Sequence, residues 1–289
     1  MQPKDTLEKV KKLRELTGVG FKDCKNAIDE NNGDIEKSIE FLRKKGIAKA
    51  NKKMQRVAAD GLVSIYEKDN KFSIVEVNSE TDFVAKNEEF IKFVESISKI
   101  ALSTSGKMND LLISKMENNK TVNDNLVALI AKIGEKITLR RTDFIDSENL
   151  INFSYTHTPT KNNLGKIGVI ISLESDKKKD VLKEFGKQLS MHVAALSPLA
   201  IDKDDIDVNL INKEKEIITE ELTNSGKDPK IIEKIANGKL NKFISDNTLL
   251  NQEWILEPKK KVKDVLKEIA GINKIVIKRF VRFKVGEGV

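Results

Sequence analysis

The stretch Ser79–Asn87, SETDFVAKN, places a carboxylate next to an aromatic ring between a strand pattern and an amphipathic helix pattern. A strand-to-helix connection needs only a turn residue and a helix cap. Val84 can supply the core contact and Asn87 the cap, which leaves Asp82 and Phe83 without a required structural role. The residues alone leave two interpretations open: Phe83 is buried while Asp82 caps the next helix, or Phe83 is exposed.

The sequence lacks the common nucleotide-binding, metal-binding and catalytic motifs. It contains neither GxxxxGK[ST] nor GxGxxG, so we expect no direct nucleotide binding. His157 and His192 are the only histidines, which excludes a dihistidine metal pair at helical spacing and the HExxH motif. Nothing marks a Ser-His-Asp or Cys-His arrangement. We therefore predict no catalytic residues, no metal, no cofactor and no enzymatic activity.

A cysteine and a histidine have side chains that could be reactive, but the sequence favours a structural role for both. Cys24 falls on the inner face of a predicted helix, so a buried small apolar residue is favoured over a reactive thiol. His192 lies on a predicted helix beside Met191 and Val193, and a hydrogen-bonded structural histidine is favoured there. With Cys24 as the only cysteine, no intramolecular disulfide forms, which fits a reducing cytoplasm.

Charge and hydropathy narrow the class of protein. The 289 residues include 52 Lys and Arg against 45 Asp and Glu, for a net charge of +7. This mixed excess fits a nucleic-acid partner or an acidic protein partner equally well. The basic clusters at Lys52, Lys53 and Arg56 and at 259–261 have few interleaved aromatics, so solvated faces explain them better than base stacking. The charged start and the short apolar runs predict neither a signal peptide nor a membrane span.

The first 54 residues are predicted to form a small three-helix domain and a linker. Asp5 and Glu8 form a capping pair for the first helix, and Gly18 sits at the C′ position. Its inner face is predicted to hold Leu7, Val10, Leu13 and Leu16. The second helix covers about 21–30. Asp34 caps a third helix that runs to Gly46, and the segment from Ala48 is predicted to be a linker.

The remainder is predicted to contain two related α+β subdomains with antiparallel sheets, at 55–145 and 146–289. In each, a β-hairpin is followed by a helix, and a closing strand ends the unit. The first unit carries two further helices, at 108–117 and 121–133, and Thr121 and Asp124 are predicted to form a partial capping pair for the second. The second carries an insertion at about 203–250, predicted to be an antiparallel helical hairpin of coiled-coil type. Its contacts are predicted between Leu210, Ile211, Ile217 and Ile218 on one helix and Ile231, Ile232, Ile235 and Leu240 on the other.

Three segments resemble the translation elongation factor Ts family, the exchange factors for elongation factor Tu. They are LRELTGVGFKDCKNAI at 13–28, EVNSETDFVAKN at 76–87, which is the most specific, and the C-terminal RFKVGEG. The segments YTH…GKIGV and MHVAALSP lie at the expected places between them, so the resemblance covers essentially the whole chain. It implies a UBA-like fold for the N-terminal domain and guanine-nucleotide exchange in the cytoplasm as the function.

The resemblance also implies partner-binding residues. In the family, the TDFVAKN segment contacts the GTP-binding domain of elongation factor Tu beside its magnesium and phosphates, which assigns Thr81, Asp82, Phe83 and Val84 here. The N-terminal domain is similar to one that contacts another helix of that domain. The candidate contacts there are Lys11, Arg14, Phe21 and Lys22. His157, expected in a loop of the second subdomain, matches a histidine that reaches the third domain of elongation factor Tu.

The sequence departs from the family pattern at two places. Many members continue past VGEG into a further helix, whereas the sequence given ends at Val289. HTPTKNNLGKIG is expected to form a longer loop after His157 than some members have. A homodimer and a 2:2 complex with elongation factor Tu are both left open. The alternative function is a basic nucleic-acid-binding or adaptor protein with a UBA-like module; no membrane and no specific nucleic acid are expected as partners of an exchange factor.

Overall fold

A computed structural model describes residues 3–17, 19–53, 55–146, 149–223 and 229–289, and it shows helices together with antiparallel strands. The predicted α+β class is confirmed at that level. The UBA-like and coiled-coil assignments stay predictions. The Gly18 C′ position lies outside the described residues.

Three helices form the N-terminal bundle: α1 (Pro3–Thr17), α2 (Phe21–Glu30) and α3 (Ile35–Lys53). Their buried side chains make a small separate core of Val10, Leu13, Cys24, Ala27, Ile28 and Leu42. Asp34 caps α3 as predicted, because its Oδ1 accepts the backbone N–H of Lys37 at 3.0 Å. The prediction for Cys24 is also confirmed: it is fully buried, and burial raises the pKa of its thiol.

Three details of this bundle differ from the prediction. Helix α1 already contains Pro3 and Asp5, so Asp5 lies within the helix and not at the predicted capping position. Leu7 and Leu16 are exposed, since three small helices offer a core only to the central stripe of α1. Helix α3 continues to Lys53 through most of the predicted linker.

The first α+β unit contains strands β1 (Asp60–Lys68), β2 (Lys71–Ser79) and β3 (Ile137–Ile145), with β2 paired to both others. Four helices lie between β2 and β3: α4 (Asp82–Ala85), α5 (Glu88–Ser103), α6 (Met108–Ile113) and α7 (Val122–Ile133). Thr121 and Asp124 form the predicted capping box of α7. Helix α5 buries Phe90, Val94 and Ile97 against β1 and β2.

The second unit repeats this strand order. Strands β4 (Ile151–Lys161), β5 (Leu164–Ser175) and β8 (Ile275–Lys284) pair with β5 in the middle, and helix α8 (Lys179–Leu196) follows β5. Strands β6 (Glu253–Trp254) and β7 (Glu257–Lys261) and helix α11 (Val262–Ala270) complete it. Gly186 in α8 lies so close to β4 that an added Cβ would stand 2.3 Å from the Phe153 ring. This contact fixes α8 on the sheet.

The two expected sheets are joined into one of six strands. Strands β1 and β5 pair at only two positions, Val63 with Gly165 and Ser64 with Leu164. A second contact is made by the sheet faces away from the helices, which bury a shared core of Val63, Ile65, Phe72, Ile74, Ile145, Ile170, Val281 and Phe283. Strand β2 is therefore buried on both faces.

A buried carboxylate ties the C-terminal segment to the first unit. Glu76 is fully buried and forms ion pairs with Arg140 and Arg141 on β3. Its Oε1 also accepts the backbone N–H of Gly286 at 3.0 Å. Gly286 has φ +72° and packs so closely on Ala59 that a Cβ would stand 2.1 Å from the Ala59 carbonyl oxygen. The RFKVGEG segment is thus part of the contact between the two units.

Helices α9 (Val208–Thr223) and α10 (Pro229–Asn247) form the insertion and pack against each other. Lys239 donates to both carboxylate oxygens of Glu221 across the pair. Ile218 is buried as predicted, but Ile217 and Ile231 are about half exposed, which corrects their predicted place in the contact. Leu222 is buried instead of them. The apolar contact between α9 and α10 contains fewer side chains than the sequence indicated, because two helices alone cover little of each other's surface.

His192 on α8 is buried and hydrogen-bonded, as predicted. The backbone N–H of Ile255 donates to its Nδ1 at 3.3 Å, so its Nε2 carries the proton and donates to Oε1 of Gln252 at 3.0 Å. The ring stacks on Trp254 with 5.2 Å between centroids. Burial lowers the pKa of His192 below its ordinary value, so the ring is neutral near pH 7.

Candidate functional site

The segment SETDFVAKN carries a short helix where the sequence indicated a loop. Helix α4 covers Asp82–Ala85, and the backbone N–H groups of Lys86 and Asn87 donate to the carbonyls of Phe83 and Val84 at 3.2 and 2.9 Å. Asn87 then caps α5 as predicted, because its Oδ1 accepts the N–H groups of Glu89 and Phe90 at 2.9 and 3.2 Å. Two turns in direct succession leave little freedom to the residues between β2 and α5.

Val84 is buried at 5% exposure in the core of the first unit, together with Ala85. Packed among β1, β2 and α5, this side chain leaves little surface for a second protein, and its predicted partner contact stays a prediction. Its position matches the core role that the spacing indicated. Val84 anchors the helical turn from below.

Phe83 projects from the same turn with 78% of its surface exposed. The interpretation in which it is buried is therefore wrong for this chain. The Lys86 ammonium lies 5.9 Å from the centre of the Phe83 ring, at the outer limit of a cation–π contact. Aromatic residues, phenylalanine among them, are enriched at the centre of protein interfaces.

Asp82 faces solvent beside Phe83 and does not cap α5. Its Oδ2 accepts a hydrogen bond from the Lys86 ammonium at 2.7 Å, one helical turn away. That hydrogen bond lowers the pKa of Asp82 and raises the pKa of Lys86, so both are charged at neutral pH. The surface around Phe83 thus presents a solvent-exposed ion pair.

Thr81 stands at the N-cap position of α4 but forms no capping bond there. Its backbone N–H donates to Oε2 of Glu135 at 3.0 Å and its hydroxyl donates to Oε1 of the same carboxylate at 2.8 Å. Glu135 follows Gly134, the left-handed C-cap of α7. Sequence reasoning missed Glu135, because 54 residues separate it from Thr81 and no motif connects them.

The N-terminal candidates lie on the surface of the bundle. Lys11 and Arg14 are exposed on α1, and Phe21, at 43% exposure, and Lys22 begin α2. The bundle reaches the first unit through α3, which packs on α7. At this contact Arg43 pairs with Asp124 at 2.6 Å, and a Cβ on Gly46 would stand 3.3 Å from the Ala131 methyl. The same helix α7 therefore supports the bundle and leads into Glu135.

His157 lies within strand β4, which corrects the expected loop position. The expected long loop after it is also absent, because β4 and β5 continue to Lys161 and Leu164 around the two-residue turn 162–163. Pro159 is accommodated because β4 is an edge strand of the described sheet, where a missing N–H costs no ladder bond. Nδ1 of His157 lies 2.9 Å from the Tyr155 hydroxyl oxygen.

An open groove of about 330 Å³ lies beside His157, lined by β4, α8, β8 and the turn between β6 and β7. Met191 and the exposed Ile255 and Leu256 supply apolar surface, and Arg282 supplies charge. This second surface combines apolar and polar groups on rigid elements. It lies in the other unit from Phe83.

Within the residues that the structure describes, no cluster of three or more His, Cys, Asp or Glu could hold a metal ion. None of the described helices is long and apolar enough to cross a membrane.

The sequence profile of the family described as "Elongation factor TS" matches residues 80–287 of this chain. The chain is 41% identical to "Elongation factor Ts" of Maricaulis maris, in an alignment that covers 97% of this chain and 91% of that protein. It is 42% identical to the protein of that name from Caulobacter vibrioides, with 97% and 92% covered. It is 41% identical to the one from Zymomonas mobilis, with 98% and 93% covered.

Proposed function

Since this chain belongs to the elongation factor Ts family and acts in translation elongation, we propose that it is a guanine-nucleotide exchange factor for elongation factor Tu. It binds the GDP-bound form, promotes GDP release and leaves the site open for GTP. The observation that carries this proposal is Phe83, exposed at 78% on a turn whose next two residues, Val84 and Ala85, are buried.

Exchange of this kind follows from linkage between two binding events. A factor that binds nucleotide-free elongation factor Tu more tightly than the GDP-bound form weakens GDP binding by the same ratio. Every 1.4 kcal/mol of differential contact corresponds to a tenfold change in affinity. No bond is made or broken, so no catalytic residue, cofactor or bound nucleotide is needed on this chain.

Phe83 supplies much of this differential contact. Burial of its ring in an apolar pocket of the GTP-binding domain is worth ~1.5–3 kcal/mol, which corresponds to roughly a ten- to hundredfold loss of GDP affinity. Asp82, beside it, engages the same surface near the magnesium and phosphates of the partner. A small displacement there has a large effect, because the metal neutralises the phosphate charge.

Two further surfaces enlarge the contact. Lys11, Arg14, Phe21 and Lys22 on the N-terminal bundle bind a second part of the GTP-binding domain. His157 and the groove beside it bind the third domain of elongation factor Tu. Their support is exposure on rigid elements. A homodimer or a 2:2 complex stays a prediction, for which sedimentation of the mixed proteins is the measurement.

The test is the release of fluorescent GDP from elongation factor Tu, followed by stopped flow with the whole chain added in excess. We expect the release rate to rise with the concentration of this protein and to saturate. An unrelated protein of similar net charge serves as the control. Release at the spontaneous rate, together with salt-sensitive binding to nucleic acid, would favour the nucleic-acid-binding alternative and contradict the proposal.

A further inference from the structure

We propose that Glu135 is a positioning residue for Phe83, acting with Glu80 through a reciprocal pair of carboxylate-to-backbone contacts. This inference rests on the proposed exchange function. In this proposal, Glu135 contacts neither the nucleotide nor elongation factor Tu. It acts by holding Thr81, and through Thr81 the helical turn that carries Phe83.

The geometry is reciprocal across two segments. Glu80 and Thr81 follow strand β2, and Glu135 and Lys136 precede strand β3. The Glu135 carboxylate accepts the backbone N–H of Thr81 at 3.0 Å, and the Glu80 carboxylate accepts the backbone N–H of Lys136 at 2.5 Å. Each glutamate thus binds the backbone of the residue that follows the other glutamate. We call these two contacts the glutamate clamp.

Basic groups compensate the negative charge of Glu80, one of the two carboxylates of the clamp. The Arg56 guanidinium donates to both oxygens of Glu80, at 3.3 and 3.2 Å, and the Lys136 ammonium donates to the carbonyl of Arg56 at 2.7 Å. Thr81 neutralises no charge on Glu135 but donates twice to it, so both carboxylate oxygens are used. Carboxylate acceptors make stronger hydrogen bonds than neutral ones.

The clamp is needed because helix α4 cannot hold itself in place. Four residues are too few for a stable isolated helix. Thr81 forms no N-cap bond, since its hydroxyl is directed to Glu135. Phe83 itself is exposed and adds little packing. The turn is therefore fixed by Val84 and Ala85 beneath it and by the clamp at its N-terminal end.

Fixing the turn affects exchange because ordering a flexible contact segment on binding costs free energy. A clamp that holds the segment before binding removes that cost, so the contact energy of Phe83 is available to weaken GDP binding. Loss of the clamp should therefore lower exchange activity only while Phe83 is present. A residue with a merely structural role would not show that dependence.

The primary variant is Glu135→Gln, in which one acceptor oxygen becomes an NH₂ donor and leaves one Thr81 donor unmatched. We expect GDP release from elongation factor Tu at a fixed subsaturating concentration to slow roughly tenfold. Glu117→Gln, which removes the same charge from the exposed loop between α6 and α7, is the matched control. Far-UV circular dichroism establishes that both variants are folded.

A double-mutant cycle with Phe83→Ala separates positioning from other roles. In the Phe83→Ala chain we expect Glu135→Gln to slow release less than twofold further. A full tenfold further loss would overturn the inference, because Glu135 would then act independently of Phe83. Equal rates for Glu135→Gln and Glu117→Gln in the otherwise unchanged chain would overturn it as well.

A second pair of variants decides the matter if Glu135→Gln does not fold. Thr81→Val removes the hydroxyl that binds Glu135, and Thr81→Ser keeps it. We expect Thr81→Ser to recover at least half of the rate lost in Thr81→Val, and no recovery would contradict the clamp.

Hydrogen exchange at the Thr81 amide tests the clamp in the free protein. It should be faster in Glu135→Gln than in Glu117→Gln, and equal exchange would contradict the clamp whatever the outcome for exchange activity. If the unchanged chain fails to accelerate GDP release, the proposed function fails, whereas this hydrogen-exchange result still reports on the clamp separately.

Discussion

At the scale of single residues, neighbouring side chains in α4 have different roles: one packs in the core and the other is exposed to solvent. Val84 is buried at 5% exposure, and Phe83, one residue earlier, is exposed at 78%. The pattern shows that removing the Phe83 ring would cost the fold little, since most of that ring already contacts water. The two histidines are divided in the same way, with His192 buried and His157 exposed.

His192 makes stability depend on pH in a defined direction. Its folded pKa lies below the ordinary value of 6.5, so above that pH the ring is neutral in both states. As the pH falls below 6.5, the unfolded chain binds a proton that the folded chain excludes, and the free energy of unfolding decreases. The contribution is at most ~1.4 kcal/mol per pH unit.

Urea unfolding at pH 7.5, 6.5 and 5.5 measures this effect. We expect His192→Phe to be less stable than the unchanged chain at pH 7.5, because Gln252 and the Ile255 N–H lose their partner, but to lose less stability on acidification. The unchanged chain is the control and should show the full pH dependence. A pH slope in His192→Phe as steep as in the control would contradict this account.

At the scale of elements, two helical glycines have opposite surroundings. A Cβ on Gly186 in α8 would stand 2.3 Å from the Phe153 ring on β4, whereas a Cβ on Gly238 in α10 would meet nothing within 4 Å. Helix α8 is thus packed at its closest approach to the sheet, and α10 is open on that side. Replacing glycine with alanine should therefore change the free energy of unfolding in opposite directions in the two helices.

We expect Gly186→Ala to destabilise the protein by about 1–3 kcal/mol through overpacking. Gly238→Ala should stabilise it by up to ~1 kcal/mol, because alanine favours the helix. Unfolding of both variants in urea compares them under the same conditions. A stabilised Gly186→Ala chain would show that α8 can move off β4, against the packing described.

Elements that depend on neighbouring residues were predictable, and those that depend on distant ones were not. The capping box at Thr121, the Asn87 cap and the hairpins follow from short-range patterns, and the structure confirms them. The packing of α3 on α7 joins distant parts of the chain, and the clamp at Thr81 depends on a residue 54 positions away. His157 was misplaced because Pro and Asn after it are typical of loops, and only the edge position of β4 explains the strand.

At the scale of the whole molecule, the buried Glu76 connects the two units. It pairs with Arg140 and Arg141 and accepts the N–H of Gly286. Arg141 also lies over the Phe283 ring at 4.3 Å, next to the shared core between the sheet faces. The surface around Phe83 and the groove beside His157 therefore have a fixed separation, as the proposed contact of one partner with both requires.

Glu76→Gln should destabilise the protein by about 1–3 kcal/mol, since a charged acceptor is lost while two arginines that retain some contact with water stay behind. Glu67→Gln breaks an exposed pair with Lys179 and should change stability by less than ~1 kcal/mol. Thermal unfolding of the two variants provides the comparison. Equal midpoints would contradict the role assigned to Glu76.

The central claim is that the exposed ring of Phe83 drives nucleotide release. The most direct measurement is the rate of fluorescent GDP release from elongation factor Tu with the unchanged chain, with Phe83→Ala and with Ile113→Ala, a control that removes a comparably exposed apolar side chain from α6. We predict that Phe83→Ala loses at least nine-tenths of the acceleration with an unchanged unfolding midpoint, while Ile113→Ala keeps it. Full acceleration by a folded Phe83→Ala chain would contradict the account.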